Sequence, residues 1–461
     1  ACMAIDAHAT PALKERFLPS MYAGTWAGSM CLTEPHSGSD LGLIRSRAEP
    51  LNDGTYAISG TKIFITGGEQ DLTDNIIHLV LAKLPGAPEG SRGISLFLVP
   101  KIWVDDNGNL QGANGVSCGS IEHKMGIKGS ATCVLNFDSA RGFLIGQENR
   151  GLQCMFTMMN CERLSIGIQG IGCADMSYQN AALYAKERLQ GRDTLNANAA
   201  KANNASPADP ILCHPDVRRM LLDMRSTTEA GRALAVYLGL QIDIAKHGQT
   251  PEKRANADAL VALLIPVAKA FFTDLGLQST VLGQQVFGGH GYIREWGQEQ
   301  LVRDVRIAQI YEGTNGIQAM DLLQRKIFAN RGESLGLFLE EMQQWMRGNT
   351  SPALAGFAEI QTRYIAALEA LTQRVIEQAE NAPATLGAGA CDYLHVVGYV
   401  TYGYLWLRMM ATASARKDAF ATTKLKTGAY YFHRIMPRID SLIATIDAGA
   451  SDVMAFSAEE F

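Results

Sequence analysis

The sequence has few of the features that mark a secreted or metal-binding protein. Its nine cysteines are scattered singly along 461 residues, without a CxxC pair or an evenly spaced framework. Neither sign of charge dominates, because the formal net charge is −5 and the sequence pI is about 6.0. These absences argue against a disulfide scaffold, a zinc site and a nucleic-acid track. They predict a reduced, cytoplasmic protein whose partners are small molecules or other chains.

The sequence also lacks the usual features of a signal peptide and of a membrane span. The first residues, ACMAIDAHATPALKERFLPSM, lack the basic start and apolar core of a signal peptide and are typical of the tail of a helix. The most apolar run, Tyr393 to Ala411, contains His395, two glycines and Arg408 and is short for a membrane span. We interpret it as a buried helix, with membrane attachment as the alternative if its tyrosines and Trp406 form an exposed belt.

What the sequence does contain is enough apolar material for two or three domains, since 47% of its residues are hydrophobic. Between Trp26 and Phe143 the hydrophobic period is two. Short β-rich runs, separated by glycine-bearing turns, are YAISG, KIFITGG, NIIHLVLAKL, GISLFLVPK and ATCVLNFDS. This segment predicts a β domain, either a sandwich or a barrel.

From Gly151 onward the period changes to that of long helices. Two segments, QCMFTMMNCERLSIGIQGIGCADMSYQNAALYAKERL and PDVRRMLLDMRSTTEAGRALAVYLGLQIDIAKHG, are each long enough to span a helical bundle. The polar stretch between them, QGRDTLNANAAKANNASPADP, predicts an exposed loop. A third long helix, EKRANADALVALLIPVAKAFFTDLGLQSTVLGQQVFGG, and a pair flanking Glu312 follow.

After Arg331 a further helical region continues to about Asp447, with predicted breaks at GNTSPAL and NAPATLGAGACD. Within Leu354 to Ala379, apolar residues at three- and four-residue steps form one stripe, which predicts a helix that packs on another surface. These residues are Phe357, Ile360, Tyr364, Ala367, Leu368 and Leu371. The run from Tyr393 to Met410 is apolar on more than one face and should be the central helix of this extension.

Glu312 lies in RIAQIYEGTNGIQAMDLLQRK, at a break between two helices. Thr314 or Asn315 could cap the second helix, with Gln318 completing a capping box from Asn315. The apolar neighbours Ile310, Tyr311 and Ile317 predict poor solvation, which would raise the pKa of Glu312 from about 4.3 toward that of a general base. The alternative is a carboxylate that only satisfies free N–H groups at a helix start.

Two upstream segments could hold a ligand. MCLTEPHSGSD offers the hydroxyls of Thr33, Ser37 and Ser39 and the backbone around Gly38, which suit a phosphate or a ring carbonyl. GTKIFITGG offers Phe64 beside Thr66 at a strand end. Each segment alone is only a turn.

Together with QQVFGGHG and YEGTNG, these segments resemble the acyl-CoA dehydrogenase family in both order and spacing, over residues 1 to about 330. TEPHSGSD, KERLQGRD and GTNGIQAMDLL are most similar to the longer bacterial branch that includes 3-methylmercaptopropionyl-CoA dehydrogenases. The family's TEPGAGSD carries His36 and Ser37 here, and its WIT strand carries Phe64.

The resemblance implies an α+β multidomain fold, in which a β-sandwich or barrel domain is followed by an α-helical bundle and an extra C-terminal helical domain. The implied boundaries are 1–23 for a remnant of an N-terminal helical domain, 24–145 for the β domain, 146–332 for the bundle and 333–461 for the extension. Because most of the N-terminal helical domain of the family is not in this sequence, we expect a fragment or a clipped chain that is apo and inactive by itself. The extension is expected to have a structural and assembly role, with no catalytic residue after Arg331.

The resemblance also implies FAD as cofactor and a homodimer or homotetramer. Arg188 would reach the flavin pyrophosphate of a neighbouring subunit, and the Gln285 to Gly289 segment would approach the same neighbour's adenosine part. The residues implied in cofactor binding are Leu32, Thr33, Gly38, Ser39, Phe64, Ile65, Thr66, Arg188, Gln285, Gly288, Gly289, Thr314 and Asn315. No metal is implied.

For the substrate, the resemblance implies an acyl-CoA thioester contacted by Ser39, Arg163 and Gly313. Asn160 replaces the acidic residue expected near Arg163, and a plain surface cation is the alternative for that arginine. Glu312 would remove the α proton while a hydride leaves the β carbon for flavin N5, and the product would be the trans-2-enoyl-CoA. The backbone N–H of Glu312 would bind the thioester oxygen.

The implied place of this reaction is fatty acid metabolism, with electron-transfer flavoprotein or a similar protein as electron acceptor. Two alternatives belong to the same superfamily: an acyl-CoA oxidase, which shares the glutamate, and a flavin-bearing DNA-associated stress protein. The net charge of −5 and the absence of a basic run in the C-terminal segment argue against the DNA-associated protein.

Overall fold

The computed structural model describes residues 1–193 and 208–461, which form two compact units, Ala1–Glu162 and Arg163–Phe461. The predicted loop between the first two long helices lies largely outside the described residues. The domain boundaries expected at 145/146 and 332/333 stay predictions.

The first unit begins with two helices rather than with the tail of one. They are α1, Cys2–His8, and α2, Pro11–Tyr22. The second helix starts anew because the Thr10 side chain accepts a hydrogen bond from Leu13 N and Pro11 occupies the first turn.

Nine strands follow in the first unit. They are β1, Trp26–Cys31; β2, Arg47–Pro50; β3, Tyr56–Thr66; β4, Asn75–Lys83; β5, Ile94–Pro100; β6, Ile102–Val104; β7, Leu110–Ala113; β8, Val116–Ile121; and β9, Thr132–Ile145. Each of the five predicted β-rich runs lies in a strand, and YAISG and KIFITGG belong to the same strand, β3.

The main sheet closes into a ring, so the barrel alternative describes it better than a sandwich. Strand β4 pairs with β5, β5 with β9, β9 with β3, and β3 with β2, which returns to β4 through the pair Arg47 and Lys83. Strand β1 runs parallel to β4, and β8 pairs with β9. Strands β4 and β5 are buried along almost their whole length, and for this reason their sequences are almost continuously apolar.

The long helix α3, Gly151–Glu187, precedes the helices of the second unit. Those helices are α4, Pro215–His247; α5, Pro251–Phe287; α6, Gln298–Arg306; α7, Asn315–Met320; α8, Glu333–Asn349; α9, Ala355–Asn381; α10, Ala384–Ser414; α11, Ala419–Tyr430; and α12, Arg438–Asp447. The three long helices of the bundle begin and end within a few residues of their predicted bounds.

The extension, α8 to α12, shares one hydrophobic core with the bundle helices α4 and α5. Helix α10 is buried on all sides over most of its length, as predicted, and Gly398 lets it approach α5 so closely that a Cβ there would lie 2.6 Å from the Phe271 ring. The stripe predicted on α9 is buried or half-buried. The extension is therefore packed onto the bundle.

One predicted break in the extension was wrong in its extent. The chain leaves helical structure only around Ala382 and Pro383, and α10 already includes Gly387 and Gly389. Gly389 faces Ile446 of α12, where a Cβ would lie 3.3 Å from the Ile446 side chain. Its small size therefore serves helix packing rather than a turn.

Among the described residues, a single helical stretch, Pro251–Tyr292, is long and apolar enough to cross a membrane, and 72% of its most apolar window is buried inside the protein. The run from Tyr393 to Ala411 is also internal, because Trp406 is 0% exposed and the tyrosines around it are buried. The exposed aromatic belt required by the membrane alternative is not present on α10.

Candidate active site

Glu312 lies on a short turn between α6 with its 3₁₀ continuation, Ile307–Gln309, and helix α7. Its φ is 54°, and that of Gly313 is 80°. A glutamate rarely adopts a positive φ, so the surroundings must hold this backbone in place. Glycine suits position 313 because it adopts a positive φ readily, and a Cβ there would also lie 2.5 Å from Gln318 Nε2.

The cap of α7 follows one of the two predicted forms. The Thr314 hydroxyl accepts a hydrogen bond from Ile317 N at 3.3 Å, so Thr314 is the N-cap and Asn315 is the first helical residue. The capping box from Asn315 was wrong. Gln318 instead donates to the carbonyl oxygens of Glu312 and Gly313, each at 3.4 Å, and thereby supports the turn.

The apolar neighbours of Glu312 shield it less than the sequence suggests. Ile310 and Ile317 are 48% and 44% exposed. Tyr311 is half-buried, and its hydroxyl donates a hydrogen bond to Gln169 Oε1 of α3 at 2.6 Å. The predicted rise in the pKa of Glu312 stays a prediction.

Two cations lie close enough to Glu312 to interact with its charge. Burial lowers the pKa of Arg163, and it lowers the pKa of Lys269 to about 8, while the Glu312 carboxylate opposes both shifts. The Arg163 side chain is only 11% exposed and lies 3.9 Å from Asp321, so the surface-cation alternative for Arg163 was wrong.

Sequence reasoning missed Lys269, although PVAKAFFTDLG carries a signal. A lysine and an aspartate inside an otherwise apolar helical run are energetically unfavourable unless they are paired. Lys269 is 0% exposed, and its Nζ donates to Asn315 Oδ1 at 2.8 Å. Asn315 was expected to bind cofactor, but its side chain is engaged inside the protein, which leaves its main chain for that role.

In the first unit, TEPHSGSD forms a turn that is fixed by Glu34. The Glu34 carboxylate accepts hydrogen bonds from Arg45 N, Ser46 N and the Ser46 hydroxyl, at 2.7, 3.0 and 2.6 Å. Lys62 of β3 donates to Glu34 Oε1 at 2.9 Å and to Leu32 O at 3.0 Å. This pair was not predicted from the sequence, although the lysine within the predicted strand KIFIT indicated it.

The predicted flavin contacts of this unit differ in their exposure. Phe64 has a φ of 60°, and its ring is 60% exposed, whereas Ile65 is only 2% exposed. The Ile65 side chain belongs to the core, so it can meet a ligand only through its main chain. The remaining contacts are half-buried Leu32 and Thr33 and exposed Gly38, Ser39 and Thr66.

In the second unit, Arg188 and Gln285 are exposed. Within the described part of the chain, Arg188 forms no ion pair, so its guanidinium is available to an anion. Gly288 and Gly289 are exposed as well, and a Cβ on either would meet nothing within 4 Å. The surface next to them is therefore open.

These side chains fit the chemical parts of FAD. A flat exposed ring at Phe64 suits an isoalloxazine, the hydroxyls of Thr33 and Ser39 suit its polar edge, and the Arg188 guanidinium suits a diphosphate. Residues 1–193 and 208–461 contain no group of three or more metal-ligating side chains. A strand ring with these features, joined in sequence to a helical bundle that bears a strained carboxylate, is typical of a flavin-dependent oxidoreductase.

Comparison with known proteins gives the family. Residues 29–140 match the model of the acyl-CoA dehydrogenase middle domain, residues 197–327 that of the acyl-CoA dehydrogenase C-terminal domain, and residues 338–457 that of the acetyl-CoA dehydrogenase C-terminal-like domain. The chain is 44% identical to 3-methylmercaptopropionyl-CoA dehydrogenase of Ruegeria pomeroyi over 441 residues, which cover 94% of this chain and 74% of the relative. The chain belongs to the acyl-CoA dehydrogenase family.

A further relative agrees with this assignment, and a solved structure shows the same fold. Butyryl-CoA dehydrogenase of Syntrophomonas wolfei is 35% identical over 481 residues, which cover 100% of this chain and 77% of that enzyme. The fold is similar to that of an acyl-CoA dehydrogenase from Bacillus anthracis complexed with FAD, with a TM-score of 0.79, 22% identity and coverage of 97% of this chain and 73% of that chain. The chain is thus an enzyme of the flavin-dependent acyl-CoA dehydrogenase class.

Proposed function

We propose that the full-length protein catalyses the α,β-dehydrogenation of an acyl-CoA thioester to the trans-2-enoyl-CoA, with Glu312 as the base that takes the α proton. FAD, when bound, would supply the acceptor for the hydride that leaves the β carbon. The α carbon loses a proton and the β carbon loses a hydride. The electron pair left at the α carbon forms the new carbon–carbon double bond. The carboxylate must be ionised to accept the proton, and it lies near enough to Arg163 and Lys269 to interact with their charges.

The turn that carries Glu312 serves the reaction in a second way. We infer that the Glu312 backbone N–H donates to the thioester oxygen, which stabilises negative charge on that oxygen as the α proton leaves. Gly313 borders the substrate, and the absence of a side chain allows close approach. Arg163 contacts the CoA portion, and Ser39 of the first unit contributes a hydroxyl to the pantetheine.

Each unit carries proposed cofactor contacts. In the first unit they are Leu32, Thr33, Gly38, Ser39, Phe64, Ile65 and Thr66. In the second unit they are Thr314 and the main chain of Asn315, and across a subunit boundary Arg188, Gln285, Gly288 and Gly289. The guanidinium of Arg188, which is exposed and forms no ion pair with any residue that the structure describes, supports a diphosphate partner on another chain.

One observation supports this function most directly. A half-buried glutamate stands at a positive φ on a turn that is tied by hydrogen bonds to α3, α5 and α7. Such a strained, over-determined backbone is typical of a functional carboxylate. A carboxylate that only satisfied a helix start would not need this support, because Thr314 already caps α7.

We further propose that the enzyme is a homodimer or homotetramer in the cytoplasm, that it acts in fatty acid metabolism, and that it passes electrons to an electron-transfer flavoprotein or a similar acceptor. The depth of the pocket between bundle helices would set the acyl chain length. No nucleic acid is expected as a partner, given a net charge of −5.

The test is an anaerobic absorbance titration of the purified, FAD-loaded, full-length protein with acyl-CoAs of increasing chain length. We expect bleaching of the flavin band by at least one acyl-CoA and formation of the matching enoyl-CoA. Oxygen consumption during turnover would favour the oxidase instead. A flavin-loaded protein that no acyl-CoA bleaches would contradict the proposed reaction.

A further inference from the structure

A single carboxylate accepts hydrogen bonds from residues on both sides of the turn that carries Glu312. Asp274 Oδ1 of α5 accepts a hydrogen bond from Gln309 Nε2 at 2.6 Å and another from Asn315 Nδ2 at 2.7 Å. Gln309 stands three residues before Glu312, and Asn315 stands three residues after it. Asp274 therefore sets the distance between the two ends of the turn.

Asn315 is held by further contacts to the same helix. Its Nδ2, whose two hydrogens are shared among three acceptors, also lies 2.9 Å from Thr273 Oγ1 and 3.2 Å from Ala270 O. Its Oδ1 accepts from Lys269 at 2.8 Å. With both ends of its amide occupied, Asn315 has one available orientation, and the start of α7 is fixed relative to α5.

The second oxygen of Asp274 is bound by the extension. His395 of α10 places its Nε2 2.8 Å from Asp274 Oδ2. Because an ionised carboxylate only accepts hydrogen bonds, this nitrogen is the donor. The imidazole also packs edge-on against Phe271, with ring centroids 5.2 Å apart. The position of His395 is thus set by packing as well as by the hydrogen bond.

We propose that Asp274 is a positioning residue for the Glu312 turn, and that His395 extends this role to the C-terminal extension by fixing the Asp274 carboxylate. The proposal rests on the proposed function of Glu312 as the base. It changes the expected role of the extension, because one of its residues acts on the turn that carries the reacting carboxylate. Asp274 and His395 do not themselves touch the substrate in this proposal.

The physical argument begins from the charge on Asp274. Burial alone raises its pKa, but the hydrogen bonds from His395, Gln309 and Asn315 outweigh burial and hold the pKa below its ordinary value. The carboxylate is therefore ionised, and its hydrogen bonds are charge-assisted and stronger than neutral ones. Removing His395 would leave Oδ2 without this donor and let the carboxylate turn away from Gln309 and Asn315.

A displaced turn would impair catalysis more than binding. Proton transfer requires the base within hydrogen-bond reach of the α carbon, and a displacement of about 1 Å can lower a rate about 100-fold. The proposed contacts to the CoA portion, Arg163 and Ser39, lie outside the turn, so substrate affinity should change less than the rate of proton transfer. The expected signature is a fall in kcat with KM almost unchanged.

The test compares His395→Ala with a matched control, Lys424→Met. Lys424 also belongs to the extension and also binds a bundle carboxylate, Glu229, at 2.6 Å, but it does not contact the Glu312 turn. His395→Gln restores an N–H donor at about the same reach. Each protein is measured by steady-state kinetics and by hydrogen–deuterium exchange of the amides in residues 310–320.

We expect His395→Ala to lower kcat about tenfold with KM within about twofold of wild type, and to speed amide exchange in residues 310–320. His395→Gln should recover most of both, and Lys424→Met should resemble wild type. Equal effects of His395→Ala and Lys424→Met, or unchanged exchange in His395→Ala, would overturn the proposal. The base assignment fails separately, if Glu312→Gln retains full turnover, because amide exchange reports on the turn whatever its chemistry.

Discussion

Lys62 and Glu34 form an ion pair inside the first unit, with Lys62 Nζ 2.9 Å from Glu34 Oε1 and side chains that are 0% and 3% exposed. Burial lowers the pKa of Lys62. Burial also raises that of Glu34, but the Lys62 ammonium and the hydrogen bonds of Ser46 and Arg45 outweigh it and leave the pKa of Glu34 lowered. The proposed ligand contacts Leu32 and Thr33 thus directly precede a turn anchored by two buried charges.

Removing one member of this pair should destabilise the protein. Lys62→Met leaves the Glu34 charge buried without its partner, and a loss of about 3 to 5 kcal/mol in the free energy of unfolding is expected. The double variant Lys62→Met, Glu34→Gln should be more stable than Lys62→Met. The matched control is Lys101→Met, whose partner Glu69 is 32% exposed and whose loss should be below about 1 kcal/mol. Denaturant titration measures all of these, and a mild effect of Lys62→Met would contradict the argument.

Glu312→Gln should remove most turnover while leaving FAD bound, because an amide cannot accept the α proton. A fall in kcat of about 10² to 10⁴ is expected on general-base grounds. Glu359→Gln, which changes an exposed glutamate of α9, is the control and should keep wild-type activity. Turnover near the wild-type rate in a flavin-loaded Glu312→Gln enzyme would show that another residue is the base.

If Arg188 and Gln285 reach the cofactor of another subunit, the protein must be at least a dimer, and flavin occupancy should fall when it dissociates. Light scattering with in-line absorbance measures both quantities. Arg188→Ala should lower flavin occupancy, whereas Arg347→Ala, which removes another exposed guanidinium, should not. A monomer saturated with flavin would contradict this prediction.

Deletion of residues 340–461 should yield aggregated or flavin-poor protein, because it exposes apolar bundle side chains such as Phe271 and Phe272 that pack against Tyr402. Deletion of residues 451–461 alone should be tolerated, since those residues are exposed. Size-exclusion chromatography and flavin absorbance distinguish the two truncations. A soluble, fully active 340–461 deletion would refute the structural role, and co-sedimentation of the intact protein with lipid vesicles would favour membrane attachment.

Lys269 predicts a pH dependence of stability. Its pKa is about 8 in the folded protein, lowered by burial, and about 10.4 in an unfolded chain. Between these values the unfolded state binds more protons, so the contribution of Lys269 to the free energy of unfolding rises with pH, by about 2 kcal/mol from pH 7.5 to 9.5. Lys269→Met should lack this rise, whereas Lys253→Met, at an exposed lysine, should keep it. Identical pH slopes for Lys269→Met and wild type would contradict the folded-state pKa.

The sequence predicted the elements of this fold well because their signals are local. Alternation along β3 and the apolar periodicity of α4 and α5 depend only on neighbouring residues. The parallel pairing of β1 with β4 left no such signal, because it joins Trp26 to Asn75 across two other strands. Only the closed structure shows that the barrel alternative holds.

The individual residues of the candidate site were predicted, but the contacts that hold them in place were not. Glu312, Phe64 and Arg188 stand in recognisable segments, so their positions could be named. Asp274 and His395 could not be paired in advance, because 121 residues separate them and each resembles an isolated polar residue in an apolar helix. Such partners become visible only when the helices are packed.

The ring of strands has a consequence for how the first unit folds. The ring closes only when β9, which begins at Thr132, pairs with β3, which begins at Tyr56. Strand β1 likewise cannot pair until β4 has been made. Most of these contacts join distant parts of the chain, so relative contact order is high and folding should be slow for a unit of this size. During synthesis on the ribosome, the segments around Thr33 and Phe64 emerge long before the strand that completes their framework. Until then the apolar edges of β3 and β4 remain open to pairing with another chain.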